Sequence, residues 1–525
     1  MRILGLGGLD HDGSACVVEA GRVLSALELE RVTRSKHRGI DAPDALAALL
    51  DRLDTDRIAE IAVADRTWFR AREPWLRPFL STRFPGVPVA SHDHHECHLA
   101  CAFACSSFEQ ATVLSIDGKG DGRSMTAALA TRNGGLTPLI SVDSAQSLGR
   151  LWWAASDYAG LPGHHAAGKT MALAAYGEPR YLDALLCHVV ACTDGSFRFE
   201  PPPSQPLLFR QVAQLVDWMT TLAGKRAERG RPEQAHCDLA ASVQKLTELV
   251  VEGIVSAAIA RTGIRDVCLA GGVALNGLAN HRLIAQKHVD ALFVPPCTDD
   301  RGLSIGAAAL AATALGEPIR PVSRFSPFLG PLPNYCGLTS GERPAALYDH
   351  VAKRLLKGHV IGWFEGRDEL GPRALGHRSI LASPVPENMR GRINAEIKQR
   401  ENFRPFGCSI LREAVSDWFV CDEDSPYMLR IVPARAERRS AIPAVLHYDG
   451  TSRLHTVCPK SDPSLATLLK RLADLGHPPL ILNTSFNGPG QPIVHTPEEA
   501  IDCARTLGLD ALVLEDQLIA LTELT

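Results

Sequence analysis

Two segments of the chain repeat one plan, in which a strand, an acidic glycine-rich turn and two further strands follow each other. They are residues 1–31, MRILGLGGLDHDGSACVVEAGRVLSALELER, and residues 112–141, TVLSIDGKGDGRSMTAALATRNGGLTPLIS. Aspartates lie near the end of the first strand in both copies, as Asp10 and Asp12 and then as Asp117. Duplicated hairpins followed by helices predict two related α/β lobes that face each other across a cleft. Acidic turns pointing into that cleft would suit a metal ion or a metal-bound nucleotide.

The rest of the chain predicts a second, different domain. Residues 235–315 alternate helices, short strands and glycine turns, which is the βαβ rhythm of a parallel sheet. Residues 316–337 are rich in Pro and Gly and are typical of a crossing between domains. Further strand candidates begin near residue 345, and 525 residues are too many for one hydrophobic core. We therefore expect one domain at 1–340 and a mixed α/β domain at 341–525.

Charge and cysteine content exclude several classes of protein. The net charge is -4 and no Lys/Arg-rich run occurs, so nucleic acid is not an expected partner. No stretch reaches the length of a membrane span, and the first apolar run is too short for a signal peptide. The 14 cysteines include no CxxC pair, which favours reduced thiols in a cytoplasmic protein.

The segment SHDHHECHLACAFA, residues 91–104, concentrates possible metal ligands. His94 and His98 are four apart and share one helical face, whereas His95 and Glu96 point elsewhere. A bare HxxxH more often marks hydrogen-bonded core or surface histidines, so further ligands are needed. Strand ends supply the candidates Asp117 and Asp300, and two imidazoles with carboxylates favour Fe(II), manganese or zinc. The remaining members of the segment, and Cys105 beyond it, are interpreted as packing, surface or supporting residues: His92, His95, Glu96, Cys97, Cys101 and Cys105.

A set of ordered motifs across nearly the whole chain resembles the NodU/CmcH-type O-carbamoyltransferase family. The motifs are HDHHECHLACAFA, VLSIDGKGDG, GKTMALAAYG, LAGGVALNGLAN, TDDRGLSIGAA, ELGPRALGHRSILASP, IKQRENFRPFGCSIL, HYDGTSRLHTV and PLILNTSFNGPGQPIV. The resemblance implies an N-terminal Kae1-like domain of the actin/hexokinase superfamily, with duplicated α/β halves, and a C-terminal YrdC-like mixed α/β domain.

The resemblance also implies a reaction in two steps. In the YrdC-like domain, carbamoyl phosphate loses its phosphate and the carbamate attacks ATP, giving carbamoyl adenylate and pyrophosphate. In the Kae1-like domain, a hydroxyl group of an acceptor takes the carbamoyl group and AMP leaves. The implied cofactors are ATP with Mg²⁺ and Fe(II) or another divalent metal ion, and the implied partners are small molecules: carbamoyl phosphate, ATP and a hydroxylated natural product. The chain is expected to be a monomer or homodimer.

Residues of the first step are carried over from the C-terminal motifs. Two phosphate-bearing substrates need several positive groups around them, because their negative charge must be gathered before reaction. The residues in the matching slots are Arg373, Lys398, Arg404, Arg453 and Ser485. Asn483 and Asn487 could instead hold their loop through bonds to the backbone.

Residues of the second step come from the N-terminal motifs. The metal set is His94, His98, Asp117 and Asp300, with Asp299 as the alternative to Asp300, and the ion would act as a Lewis acid. The nucleotide is expected at Gly271, Gly272, Asn276, Gly302 and Gly306, where glycines permit close backbone approach.

His11, in the turn LDHDGSA, is the candidate base for the acceptor hydroxyl group, with Asp12 to orient it. A turn-stabilising His-Asp pair is the alternative interpretation. Lys36 is a further candidate contact of the carbamoyl or phosphate group. Lys169 in GKTM is not read as a phosphate-binding loop, because the upstream glycine of that motif is missing.

Three other functions remain open from the residues alone, one of which is a non-catalytic metal- or nucleotide-binding module that would leave the Arg and Lys residues without a role. Threonylcarbamoyl transfer to tRNA uses related domains, but the acidic balance and the second domain count against it. A sugar kinase of the same superfamily would release ADP, so the nucleotide product distinguishes it from a carbamoyltransferase.

Overall fold

A computed structural model of the chain describes residues 1–161, 163–202, 204–205, 208–335 and 346–521. Contacts divide the chain into two units. The first unit comprises residues 1–24 and 39–325, and the second comprises residues 25–38 and 326–525. The predicted boundary between residues 340 and 341 lies outside the described residues, so the domain limits 1–340 and 341–525 stay a prediction.

The strands up to residue 325 form two five-stranded sheets and a small two-stranded one within the described residues. Their bounds are β1 (Arg2–Gly7), β2 (Ser14–Glu19), β3 (Arg22–Glu28), β4 (Glu60–Ala64), β5 (Val89–His92), β6 (Gln110–Gly120), β7 (Arg123–Thr131), β8 (Gly135–Asp143), β9 (Val189–Ala191), β10 (Phe197–Phe199), β11 (Asp266–Ala270) and β12 (Ala291–Phe293).

The two large sheets share one strand order, β3-β2-β1-β4-β5 in the first and β8-β7-β6-β11-β12 in the second. In each, the first strand of the hairpin motif pairs antiparallel with the next strand and parallel with a later one. The predicted duplicated α/β domain is thereby confirmed. The strand-turn-strand repeat in the sequence corresponds to β1–β3 and β6–β8.

Helices surround these sheets. Their bounds are α1 (Leu29–Thr33), which belongs to the second unit, then α2 (Pro43–Leu50), α3 (Arg66–Arg83), α4 (His94–Ala104), α5 (Leu148–Tyr158), α6 (Ala167–Ala174), α7 (Leu182–Leu186), α8 (Val212–Ala223), α9 (Gln234–Thr262), α10 (Gly277–Ala285) and α11 (Leu303–Ala314). Short 3₁₀ turns lie at His164–Ala166, Leu208–Arg210, Gly272–Leu275 and Asp300–Gly302.

Helix α11 packs closely on both sides because its sequence, LSIGAAALAATA, carries mostly small side chains. Toward β1, a Cβ added to Gly5 would lie 2.1 Å from the carbonyl oxygen of Ser304. Toward α4, a Cβ on Gly306 would lie 1.9 Å from the carbonyl oxygen of Cys97. Only glycine allows backbones to approach so closely, and this packing brings the N-terminal ends of α4 and α11 together.

The second unit contains one eight-stranded mixed sheet in the described residues, of order β16-β17-β15-β18-β14-β13-β19-β20. Pairs β13–β19 and β15–β17 are parallel and the others antiparallel, as expected for a mixed α/β domain. The bounds are β13 (Ile361–Phe364), β14 (Arg378–Ala382), β15 (Gly407–Leu411), β16 (Arg430–Pro433), β17 (Thr451–Val457), β18 (Leu480–Ser485), β19 (Ala511–Leu514) and β20 (Gln517–Ala520).

Both faces of this sheet are covered. Helices α12 (Leu347–Leu356) and α15 (Pro463–Asp474) bury most of their leucines in a core on one face. The other face packs against α16 (Pro497–Thr506) and a more irregular set, namely α13 (Met389–Arg392), a π-helical turn at Ile393–Ile397, α14 (Val415–Trp418) and 3₁₀ turns at Arg412–Ala414, Ala436–Ala441 and Pro443–Val445. Two buried faces explain why the central strands β13 (IGWF) and β19 (ALVL) are apolar runs without alternation.

The segment 25–38 is tied into the second unit by buried polar contacts. Glu28 Oε1 accepts a hydrogen bond from the amide of Gly371 at 2.5 Å, and Arg31 Nη2 donates to the carbonyl oxygen of Gly371 at 3.0 Å. Glu28 and Arg31 are themselves paired at 3.3 Å and are almost completely buried. This charged pair is therefore part of the interior of the second unit.

Across the described ranges, none of the helices combines the length and the apolar character that crossing a membrane requires.

Candidate functional sites

The structure brings together the four residues that the sequence predicted as metal ligands. One possible ligand atom from each of His94, His98, Asp117 and Asp300 lies within 4.8 Å of the others. His94 Nε2 lies 3.3 Å from Asp117 Oδ2, and His98 Nε2 lies 3.4 Å from Asp300 Oδ1. All four residues are buried in the first unit.

Local structure explains how each ligand reaches this point. Asp93 caps α4 by accepting from the amide of Glu96, which places His94 in the first turn and His98 one turn later. Asp117 lies where the β6–β7 register shifts between Ile116 and Gly120, and such irregularities re-aim a side chain.

Contacts with two neighbouring residues orient His94 and Asp117. Asp65, immediately after β4, lies 3.2 Å from Nδ1 of His94, which leaves Nε2 of that ring for the ion. The amide of Gly272 donates to Oδ1 of Asp117 at 2.9 Å. Asp65 was not predicted, although an aspartate that follows an apolar strand is a recognisable signal for it.

The donor set fits a divalent cation. His98 Nε2 is buried and has no hydrogen-bond partner among the described residues, although a carboxylate lies nearby. Burial alone would lower the pKa of His94, yet Asp300, Asp117 and Asp65 raise it well above its usual range. Likewise, the pKa of Asp117 is well below its usual range: burial opposes this, but the neighbouring histidines outweigh it. Two imidazoles and two carboxylates, with positions left for substrate oxygens, suit iron, manganese or zinc.

His11 lies beside this group. Its Nδ1 is 3.1 Å from Asp12 Oδ2 and its Nε2 is 3.7 Å from Asp300 Oδ2, while 37% of the side chain is exposed. Burial would lower the pKa of His11, but Asp300 and Asp12 raise it to about 10. Asp12 is held in turn by Arg301, 2.6 Å away. His11 is thus the group near the metal ligands that solvent and a substrate can reach.

Asp299, the alternative to Asp300, has a different set of contacts. Its Oδ1 accepts from the amide of Arg301 and its Oδ2 pairs with the guanidinium of the same residue at 2.5 Å. Asp299 therefore caps the turn that presents Asp300 to the two histidines.

The other candidates in the histidine segment have structural surroundings. His95 is buried, its Nδ1 lies 3.1 Å from Ser115 Oγ, and burial together with the charge of His94 lowers its pKa to about 3. Cys97, Cys101 and Cys105 are buried along α4, and Cys101 Sγ lies 3.9 Å from Cys297 Sγ.

The residues predicted for the nucleotide lie around the same group. Gly271 has φ +86 and adjoins Ile116, next to Asp117. Asn276 caps α10 and exchanges hydrogen bonds of 2.8 and 3.1 Å with Gln244. Gly302 and Gly306 allow close packing around α11: a Cβ on Gly302 would lie 2.2 Å from the carbonyl oxygen of Cys297. Their assignment to nucleotide binding stays a prediction.

A second candidate site lies in the second unit, around Lys398. Its ammonium group donates to Asn487 Oδ1 at 2.7 Å and to the carbonyl oxygen of Asn487 at 3.1 Å. Ser485 Oγ donates to the same Asn487 side chain at 2.7 Å. Lys398 Nζ also donates to the carbonyl oxygen of Ser485 at 2.5 Å, so the predicted residues Lys398 and Ser485 are in direct contact and share Asn487 as a partner.

Arginines gather beside this lysine. Burial, followed by the charges of Arg373, Arg400 and Arg404, holds the pKa of Arg453 well below its usual range. Burial and then the charges of Arg400 and Arg404 also hold the pKa of Lys398 well below its usual range. The charged groups that lower the pKa of Arg453 are all positive, so this cluster of side chains carries cationic charge that an anion would neutralise.

Arg400 belongs to this set although the sequence analysis did not single it out. It lies over the ring of Phe406 at 4.6 Å and donates to Asn394 Oδ1 at 2.7 Å; burial and then Arg404 lower its pKa to about 9. Arg400 occurs in the motif IKQRENFRPF between the predicted Lys398 and Arg404. Its place in that motif could have identified it as part of the basic cluster. Lys36, from the segment 25–38, adds to the positive field at Lys398.

Family models match most of the chain. The model described as carbamoyltransferase N-terminus matches residues 80–309, and the model described as carbamoyltransferase C-terminus matches residues 352–520. The candidate metal group lies in the first match. The residues predicted for the first step, from Arg373 to Ser485, lie in the second.

Several relatives align over much of their length. An uncharacterised protein of Synechocystis sp. is 32% identical, covering 99% of this chain and 97% of its own. Nodulation protein NolO of Bradyrhizobium diazoefficiens is 34% identical, covering 80% of this chain and 77% of its own. A 3'-hydroxymethylcephem-O-carbamoyltransferase of Amycolatopsis lactamdurans is 32% identical, covering 68% of this chain and 65% of its own.

Proposed function

The chain belongs to the carbamoyltransferase family, and on that basis we propose that it carbamoylates a hydroxyl group of a small-molecule natural product. Carbamoyl phosphate is the carbamoyl donor, and ATP with Mg²⁺ activates it as carbamoyl adenylate. The observation that carries the proposal is the cluster of basic side chains in the second unit, in which Lys398 is buried and Arg373, Arg404 and Arg453 are half-buried, and which suits two phosphate-bearing substrates.

The proposed reaction has three steps, and in each step one bond forms as another breaks. Water cleaves the carbonyl carbon to oxygen bond of carbamoyl phosphate and releases phosphate and carbamate. A carbamate oxygen attacks the α-phosphorus of ATP, forming carbamoyl adenylate and releasing pyrophosphate. The acceptor hydroxyl oxygen then attacks the carbamoyl carbon, AMP leaves, and the hydroxyl proton passes to a base.

Adenylate formation is assigned to the second unit. Arg373, Arg404 and Arg453 bind phosphate oxygens, because guanidinium groups match them in geometry and charge. Lys398 and Ser485 complete the set. Repulsion among these cations is relieved when a phosphate group binds, so part of the binding free energy comes from charge neutralisation.

Carbamoyl transfer is assigned to the first unit. The ion that His94, His98, Asp117 and Asp300 would hold supplies Lewis-acid polarisation of bound oxygen atoms. His11 takes the proton of the acceptor hydroxyl group. The carboxylates that raise the pKa of His11 to about 10 include the metal ligand Asp300, whose charge a bound cation offsets.

The nature of the acceptor rests on the names of relatives. One relative is named for carbamoylation of a 3'-hydroxymethylcephem and another for nodulation. The first name points to a hydroxymethyl group of a small molecule as the acceptor. Aminoglycosides, cephems, ansamycins, nodulation factors and sugar-bearing antibiotics form the panel to screen.

The first half-reaction can be tested before the acceptor is known. Purified protein is incubated with ATP, Mg²⁺ and labelled pyrophosphate, and incorporation of label into ATP is followed with and without carbamoyl phosphate. We expect exchange that requires carbamoyl phosphate. Exchange that requires threonine and bicarbonate instead, or ADP as the product formed with a sugar, would contradict the proposal.

A further inference from the structure

A second group of possible ligands lies in the second unit, apart from the basic pocket residues. One ligand atom from each of Glu365, His377 and Asp462 lies within 4.8 Å of the other two. His377 Nε2 is 3.7 Å from Glu365 Oε1, and the two side chains are 14% and 12% exposed. The group is thus mostly enclosed yet open to entry by an ion.

Strand pairing and a helix cap bring these side chains together. Glu365 follows β13 and His377 precedes β14, and the amide of Glu365 donates to the carbonyl oxygen of His377 at 3.1 Å. Asp462 is the N-cap of α15, where its Oδ1 accepts from the amide of Leu465 at 2.9 Å. Three separate elements therefore converge on one point.

One oxygen of Asp462 is left for a ligand. Asp462 is only 5% exposed, and its Oδ2 has no hydrogen-bond partner in the described part of the chain. A Cβ on Gly376 would lie 2.7 Å from that oxygen, so only a glycine leaves room beside it. A buried carboxylate oxygen without a partner costs free energy unless a proton or a cation satisfies it.

The imidazole of His377 is prepared to act as a ligand. Its Nδ1 donates to the carbonyl oxygen of Arg367 at 2.6 Å, which directs the lone pair to Nε2 on the side of Glu365. The ring of Phe328 stacks on it with centroids 3.5 Å apart and an angle of 7°. Histidines that bind metal ions are commonly oriented by such a carbonyl contact on the other ring nitrogen.

The charges around the group also favour a cation. Burial, then Asp462 and Glu515, raise the pKa of Glu365 to about 8. Burial and Glu369 raise the pKa of Asp462 to about 7. The ionised neighbours responsible are carboxylates, so a divalent ion would offset their mutual repulsion.

From this geometry we propose that Glu365, His377 and Asp462 form a divalent-cation site distinct from the histidine-aspartate group of the first unit. Two carboxylates and one imidazole, with further positions for water, suit zinc or manganese. The ion links β13, β14 and the start of α15. This site goes beyond the proposed carbamoyl transfer and does not depend on it.

Metal content tests the site directly. The full chain carrying Asp300→Asn, to remove one ligand of the first group, is stripped with chelator, dialysed against Zn²⁺ and measured by elemental analysis. Adding Glu365→Gln with Asp462→Asn should lower the bound zinc by one ion per chain. The matched control, Glu396→Gln with Asp474→Asn, changes carboxylates that are 68% and 66% exposed and should leave the zinc content unchanged.

A second measurement uses the unaltered protein, because the variants could fail to fold. Crystals soaked in Zn²⁺ should show an anomalous peak within bonding distance of His377 Nε2 and of the two carboxylates. Absence of a peak there while the first group is occupied, or equal zinc content in folded variant and parent, would overturn the proposal. Neither measurement depends on whether the protein transfers carbamoyl groups.

Discussion

Gly120 lies directly against the imidazole of His94: a Cβ on Gly120 would be 2.0 Å from Cδ2 of the ring. Gly120→Ala should therefore displace His94 and lower the affinity of the first group for Zn²⁺ or Fe²⁺ at least about 10-fold, as loss of ligand orientation commonly does. Metal titration with a competing chelator measures this. Gly118→Ala is the matched control, since a Cβ on Gly118 meets no atom within 4 Å. Equal losses in both variants would contradict the steric explanation.

Asp65→Asn tests the contact behind His94. Asparagine also caps helices, so α3 should persist, whereas the negative charge that supports the imidazole is lost. We expect a decrease in metal affinity of about 10- to 100-fold with little change in thermal stability. Asp217→Asn, at an exposed position on α8, is the control. Unchanged affinity in Asp65→Asn would remove Asp65 from the site.

Arg453→Ala should abolish adenylate formation. Loss of one charged donor to a reacting phosphate typically costs about 10²- to 10³-fold in rate. The measurement is carbamoyl-phosphate-dependent exchange of pyrophosphate into ATP. Arg505→Ala, at an exposed position in the last turn of α16, should retain full exchange. A folded Arg453→Ala protein with normal exchange would rule out the assignment.

His11→Ala should separate the two steps. The side chain lies in the first unit beside Asp300, so pyrophosphate exchange should be unaffected while carbamoyl transfer to an acceptor falls by about 10²- to 10⁴-fold, the usual contribution of a general base. Product formation by mass spectrometry measures the second step. If the variant loses exchange as well, the division of the two steps between the units is wrong.

His447 should make the free energy of unfolding sensitive to acid. Burial and the charges of Arg453 and Arg390 lower its pKa to about 3 in the folded protein. Between pH 6.5 and about 3 the unfolded chain binds a proton that the folded chain does not, so the free energy of unfolding falls as pH falls through this range. From about pH 6.5 to about pH 5 the loss is up to about 2 kcal/mol for this residue.

Urea unfolding near pH 5 and near pH 7 measures the effect, and His447→Gln should show a smaller difference between the two. His350→Gln, at an exposed position, should behave like the parent protein. The hypothesis fails if both variants keep the full pH dependence of the parent.

Much of the fold could be predicted because its signals are local. The two hairpin segments became β1–β3 and β6–β8, and the long apolar-periodic stretch became α9, which a capping box at Glu233 and His236 and a left-handed Gly263 delimit. The resemblance to the O-carbamoyltransferase family is confirmed by the family matches. Strands β17 and β20 were not predicted: only Leu454 and Val457 are apolar in β17, and β20 is short.

Long-range relationships were harder to predict. That Asp117 and Asp300 meet the histidines depends on the bulge in β6 and on the close packing of α11 against α4, and neither is a property of a single segment. Asp65 and Arg400 were missed because their importance arises from what lies next to them in space. Likewise, the group of Glu365, His377 and Asp462 has no spacing motif, since Asp462 is far along the chain from the other two.

The tie between Glu28, Arg31 and Gly371 has a consequence for how this gene can be divided. A fragment starting at residue 326 would lack both charged partners of Gly371, while a fragment ending at residue 325 would carry Glu28 and Arg31 without Gly371. If the protein were divided into two polypeptides, residues 25–38 would have to belong to the polypeptide that carries residues 326–525. Recombination between relatives is therefore expected to preserve residues 25–38 together with residues 326–525, and chimaeras joined at a single crossover near residue 325 should express poorly.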